Sequence, residues 1–168
     1  MSEPVMLDPH TFGPDQQCFG CGPNNDIGLK LRFERIDDRV ASRFTLGRGY
    51  DGPPGILHGG LQALVLDEIA GWTLVGLRER IGLTTSMTLR YLRSMRLGEE
   101  LLAEGWILSE EDGLTTIKAT LSQAGKVGCV ARIVYAMPDC EKMKQVLQGP
   151  LPEGWAKFFE DAPEVGDG

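Results

Sequence analysis

The chain has 168 residues, room for one domain of ordinary size with a self-sufficient core. Its 42% hydrophobic and 24% charged residues are globular composition and exclude a disordered or fibrous chain. A net charge of −7 argues against binding nucleic acid through a broad phosphate-neutralising surface, which needs many lysine and arginine contacts.

The opening Met1-Ser2-Glu3-Pro4 has no basic stretch and no apolar stretch, so no secretory signal is expected. No apolar run approaches the roughly 20 residues of a membrane span. Four cysteines (Cys18, Cys21, Cys129 and Cys140) are too sparse for a disulfide framework. The expectation is a cytoplasmic protein with reduced thiols and no membrane partner.

Residues 1–27 read as an irregular arm that includes the turn-rich Cys18-Phe19-Gly20-Cys21-Gly22-Pro23-Asn24-Asn25. From Gly28, Leu29, Leu31 and Phe33 alternate with Lys30, Arg32 and Glu34, which predicts a strand with one wet face. Val40, Ser42, Phe44 and Leu46 alternate after an Asp37-Asp38 turn, and the two strands read as a hairpin. After a glycine- and proline-rich loop over 47–57 the period changes. Leu61, Leu64, Val65, Ile69 and Trp72 fall at helical spacing, and Ala63, Leu66, Ala70 and Leu74 fill the other side. That predicts a buried helix over 59–80. Strands follow over 84–94, 99–108, 113–124 and 126–137, joined by short turns and pairing antiparallel, until Pro138 stops the last. A short helix over 139–148 and a loosely ordered acidic tail complete residues 139–168, which leaves 28–138 as the folded domain. The architecture is α+β: one long helix against an antiparallel sheet. The sheet's other face needs cover, which predicts self-association.

Two features carry chemistry. Gly59 and Gly60 open the helix, where backbone N–H groups unshielded by a Cβ point outward at the positive end of the dipole. Such a terminus holds an anion or polarises a carbonyl oxygen. Asp67 stands two turns on, in a helix otherwise too apolar for a charge, where burial raises a carboxyl pKa toward that of a general base. Oxyanion donors and a carboxylate on one cavity are the minimum kit for hydrolysing an activated acyl group. Glu68 competes with Asp67; the two point about 100° apart, so only one is expected to face a given cavity. The bland reading is a helix entrance with His58 as a cap. With His10 and His58 the only histidines and no Gly-x-Ser-x-Gly elbow, no serine-hydrolase set is visible.

Leu57-His58-Gly59-Gly60 with Leu66-Asp67-Glu68 resembles the signature of hotdog-fold acyl-CoA thioesterases of the phenylacetate-degradation (PaaI-like) type. Cys18-Phe19-Gly20-Cys21-Gly22 with Gly28-Leu29-Lys30-Leu31, and the downstream Arg90-Tyr91-Leu92-Arg93, are similar to other parts of that group, so the resemblance spans about residues 18–137. It implies a six-stranded antiparallel sheet wrapped around one central helix. It also implies homodimers that stack further into tetramers, and hydrolysis of an acyl-CoA with no cofactor beyond the coenzyme A of the substrate. Gly59 would donate its N–H to the thioester carbonyl, supported by Gly60. Asp67 would act as base or nucleophile, His58 would orient, and the pocket would lie at the dimer interface. An Asn that some relatives carry six residues before the His-Gly-Gly is Gly52 here, and a proline after Tyr-Leu-Arg is Ser94.

Substrate contacts are expected from Glu68 and from hydroxyls of the 84–86 run, Thr85 and Ser86 foremost, although exposed strand positions explain the hydroxyls as well. Arg90 and Arg93, with Arg96, form the densest basic stretch and suit the phosphates of coenzyme A; a solvated strand face is the alternative. Trp72 and Met87 are candidate lining residues. The Cys18-x-x-Cys21 pair lacks a second pair at zinc spacing, so no metal is expected and the segment reads as a structural turn over the pocket mouth; an incomplete zinc site that His10 joins is the alternative. Two other readings stay open: a hotdog acyl-thioester hydratase or dehydratase, and a non-catalytic acyl-CoA-binding module.

Overall fold

The computed structural model describes residues 3–159. Seven strands form one antiparallel sheet: β1 (Val5–Met6), β2 (Glu34–Ile36), β3 (Arg39–Thr45), β4 (Leu83–Tyr91), β5 (Glu100–Glu111), β6 (Leu114–Gln123) and β7 (Lys126–Ala136), in the spatial order β1-β2-β3-β5-β6-β7-β4. The long helix α1 (Gly59–Arg78) packs on strands from both halves of the sheet, and α2 (Cys140–Leu147) follows the last strand. This is the expected hotdog, with the two-residue β1 added to the six expected strands.

The local reasons are legible in the residues. Asp112-Gly113 and Ala124-Gly125 each take left-handed backbone at both positions, as the tight turns closing β5–β6 and β6–β7 demand. Helix α1 ends where Glu79 enters the left-handed region at φ 52° and donates its N–H to Leu74 and Val75. By length and composition α1 could cross a membrane, yet half of that stretch is buried within the fold. Val65, Leu66, Ile69, Ala70 and Leu74 are sealed against inward side chains such as Ile117, Leu121 and Ile133. The helix sits so close to β5 that a Cβ at Gly105 would strike Thr73 Oγ1.

Two expectations are corrected. The alternation over 28–33 does bury Leu31 and Phe33, but the ladder begins only at Glu34. Lys30 takes a left-handed conformation, and Leu29 and Leu31 donate to Phe19 and Gly20 of the cysteine turn rather than to a strand. Nor do the last four strands form a simple meander. β4 pairs with β7, at the far edge of the sheet from β3. The connection over 92–99 crosses instead of turning back. Leu92 and Arg93 donate to Gly128, Met95 is buried, and the Gln123 side chain clasps both the N–H and the carbonyl of Arg96.

Residues 149–159, expected to be loosely held, are packed. Trp155 donates its ring N–H to the Phe12 carbonyl, and Phe158 is buried against the Phe12 ring. Phe12 in turn packs edge-on to Trp72, which stacks on Phe33 at 4.7 Å. The rest of the acidic tail lies outside the described residues.

Candidate functional site

The loop ahead of α1 is tied by one carboxylate. Asp51 accepts from the N–H groups of Gly55 (2.8 Å) and Gly49 (3.1 Å), which hold its carboxyl below the usual carboxylate range. His58 donates its N–H to Tyr50, and a Cβ at Gly52 would rest on the His58 backbone, so position 52 supplies no side-chain group here. His58 is the N-cap of α1: its Nδ1 accepts from Gly60 N–H at 2.9 Å. The cap uses the Gly60 donor, so the two free glycine N–H groups expected at this terminus reduce to one. Gly59 N–H has no acceptor among the described residues, while its carbonyl receives the Tyr91 hydroxyl at 2.9 Å.

Asp67 lies eight residues along α1, about 12 Å of helix rise from Gly59. Its Oδ1 accepts from Thr84 Oγ1 (2.9 Å, on β4) and from Tyr135 OH (3.1 Å, on β7); the same tyrosine hydroxyl reaches the Asp67 carbonyl at 2.8 Å. Oδ2 accepts from no group among the described residues. Tyr135 is 3% exposed, and burial, then the Asp67 charge, push its phenol well above the ordinary range, so it stays a donor.

Glu68, on the next flank, faces sulfur. Cys18 Sγ lies 3.5 and 3.4 Å from its two oxygens. Burial, then the charge of Cys18, raises its pKa from 4.5 to about 7. Cys18 moves the other way, to about 5, chiefly through a hydrogen bond from Cys21, whose own thiol is pushed up.

A cavity of about 760 Å³ opens over both carboxylates. Asp67, Glu68, Thr84, Tyr135, Cys18 and Cys21 form its polar end; Phe12, Trp72, Val75, Ile81, Leu147 and Trp155 form its apolar walls. Both carboxylates thus line one cavity, contrary to the expectation that only one can, because the cavity spans from the arm to β7. Gly59 does not line it. Within a single chain the donor and the carboxylate are apart.

The other expected residues divide. Thr84, rather than Thr85 or Ser86, meets Asp67; a bulge at Thr85 turns that hydroxyl to the Val134 carbonyl, and Ser86 is exposed. Arg90 is exposed on the opposite parity of β4 to the core-packed Met87 and Leu89, and Arg93 is bonded to the Val127 carbonyl. Trp72 lines the cavity, whereas Met87 packs on the core. Sequence reasoning missed Tyr135: its place in the β7 alternation marks an inward residue, but nothing local marks its partner.

Residues 54–130 match the family model of the thioesterase superfamily. No curated protein matches this chain. Among solved structures, one described as a thioesterase superfamily protein is 27% identical, with a TM-score of 0.68 over 81% of this chain and 68% of that one. A hypothetical thioesterase from Streptococcus pneumoniae TIGR4, solved with coenzyme A, is 19% identical, with a TM-score of 0.60 over 65% and 89% of the two chains. A phenylacetic acid degradation-related putative thioesterase from Ralstonia eutropha JMP134 is also 19% identical, at 0.58 over 64% and 84%. The fold is that of a hotdog protein of the thioesterase superfamily, and the family match covers the stretch that holds His58, Gly59, Gly60 and Asp67.

Proposed function

We propose that this chain is a thioester hydrolase acting on an acyl-CoA, and that its complete site is built from two copies. One observation carries the reading: Asp67 and Gly59 stand at opposite ends of the same edge strand. Thr84, near the start of β4, bonds Asp67, and Tyr91, at its end, bonds Gly59. Among the described residues β4 has a strand neighbour on one side only, so its outer edge offers backbone groups to a second copy. Two β4 strands paired antiparallel about a two-fold axis near Met87 and Thr88 would set Thr84 of one copy opposite Tyr91 of the other. The Asp67 carboxylate then meets the free Gly59 N–H of the partner subunit, twice per dimer.

The roles follow from the groups. Gly59 N–H, at the positive end of α1, stabilises the oxyanion that forms on the thioester carbonyl. Asp67, oriented through Oδ1 by Thr84 and Tyr135, uses Oδ2 to take a proton from water or to attack the carbonyl itself. His58 holds the helix entrance. The apolar walls receive the acyl chain, and the related protein solved with coenzyme A supports a CoA thioester over a free ester.

The test uses two inactive variants. Gly59→Pro removes the N–H at the first helical residue, where proline fits; His58 at φ −59°, ψ 132° already has the conformation that precedes one. Asp67→Asn removes the base. Each alone should release little CoA thiol from a panel of short, long and aromatic acyl-CoAs. Subunits mixed and reassembled should recover about a quarter of wild-type turnover, because half the dimers are mixed and each mixed dimer has one intact site. Folded, dimeric mixtures that stay inactive overturn the shared site. Wild-type protein that binds acyl-CoA tightly and hydrolyses none of the panel makes it a binding module.

A further inference from the structure

The flank of α1 that carries Glu68 holds a second constellation, which the hydrolytic reading leaves unused. Cys18 Sγ, Cys21 Sγ and a Glu68 carboxylate oxygen all lie within 4.8 Å of one another, and all three residues line the cavity. Spacing offered two thiols and no second pair; the third group comes from α1, fifty residues away. We propose that Cys18, Cys21 and Glu68 bind one zinc ion, which clasps the N-terminal arm to α1 and leaves its fourth coordination position turned to the cavity.

The dimensions agree. Tetrahedral zinc with Zn–S near 2.3 Å and Zn–O near 2.1 Å separates sulfur from oxygen by about 3.6 Å; Cys18 Sγ lies 3.4 and 3.5 Å from the two Glu68 oxygens. Two sulfurs and one carboxylate oxygen are also a donor set that suits zinc over magnesium or calcium.

The turn that presents the thiols is built for close approach. A Cβ at Gly20 would fall on the Glu68 carboxyl, and one at Gly22 on the backbone of Cys18. Gly22 donates to the Cys18 carbonyl at 2.9 Å, and Leu29 and Leu31 fasten the turn from outside. Two side-chain N–H groups stand around the sulfurs. Gln16 Nε2 donates to Cys21 Sγ at 3.2 Å, and its Oε1 is buried with no partner among the described residues. Trp72, 2% exposed and lining the same cavity, has an indole N–H with no partner among the described residues, and it stands beside Cys21. N–H groups aimed at sulfur are what metal-bound thiolates accept.

Reduced, chelator-treated protein titrated with Co²⁺ tests the site. The expected result is uptake of one Co²⁺ per chain with a thiolate-to-cobalt charge-transfer band, displaced by Zn²⁺, and a higher melting temperature in the loaded protein. Cys18→Ser and Cys21→Ser should each abolish the band, Glu68→Gln should weaken Zn²⁺ at least tenfold, and Cys140→Ser should change nothing. Folded, reduced wild-type protein that takes up no Co²⁺ overturns the proposal whatever the variants do. So does equal uptake by Cys18→Ser, or a Cys18–Cys21 disulfide in air whose reduction restores no binding.

Discussion

Asp67 and Glu68 are neighbours in sequence, sit on one helix and border one cavity, yet they have opposite surroundings. Asp67 is met by two hydroxyls from the sheet, each donating to Oδ1, so that oxygen is fixed and the other is left free. Glu68 is met by the Cys18 and Cys21 thiols of the arm and is partly buried, so its charge is disfavoured. A rotation of about 100° about the helix axis separates a carboxylate prepared to act on a substrate from one prepared to share a ligand. The difference lies not in the two side chains but in what the chain brings back against each of them.

The comparison breaks most sharply in turnover. Asp67→Asn should lower CoA release by about 10²–10⁴-fold, the usual worth of a general base, while Glu68→Gln retains most of it; equal losses would mean both carboxylates serve the chemistry. Tyr135→Phe should come next, with turnover down about tenfold and stability down about 1 kcal/mol, because Asp67 loses one hydroxyl donor shared by its carbonyl and Oδ1. Steady-state assays beside thermal melts separate the two effects.

On the Glu68 side the larger signal is in stability. Gly20→Ala should lose about 1–3 kcal/mol by pressing on Glu68, and Gly20→Ala combined with Glu68→Ala should lose less than the sum of the two. Additive melts would show that the arm does not rest on this carboxyl. The smallest effect is a slope. In metal-free Cys18→Ser the thiolate charge is gone but burial still raises the Glu68 carboxyl, so the folded chain keeps a proton that the unfolded chain has released in the range just above 4.5. Stability should therefore fall as pH rises through that window, and adding Glu68→Gln should flatten the melting-temperature profile.

Much of this was legible in the residues because it is local. The helix from Gly59, the β5–β6 and β6–β7 hairpins with their Asp-Gly and Ala-Gly turns, and the His-Gly-Gly-to-Asp spacing are all set by neighbours within a few positions. What escaped depends on chain returning from far away. The 84–91 strand looked like the partner of the next strand, and only Met95 and the Gln123 clasp carry the crossing that sends it to the sheet edge. Tyr135 reaches Asp67 across 68 positions, and Cys18 reaches Glu68 across 50. Gly60 was expected to offer its N–H, but the neighbouring imidazole had the shorter reach. Periodicity reports which face of an element is buried; it does not report against whom.

The aromatic contacts of Phe12 with Trp72, Trp155 and Phe158 carry a consequence for how such a protein can diverge. The apolar end of the cavity is walled partly by segments that flank the hotdog, one before β2 and one after α2, rather than by the sheet and helix that hold the reacting groups. Lengthening, trimming or recolouring those flanking pieces reshapes the space offered to an acyl chain while every group around Asp67 and Gly59 stays where it is. Selection can thus retune preference and leave chemistry alone, a separation that a pocket cut wholly into the core would not allow.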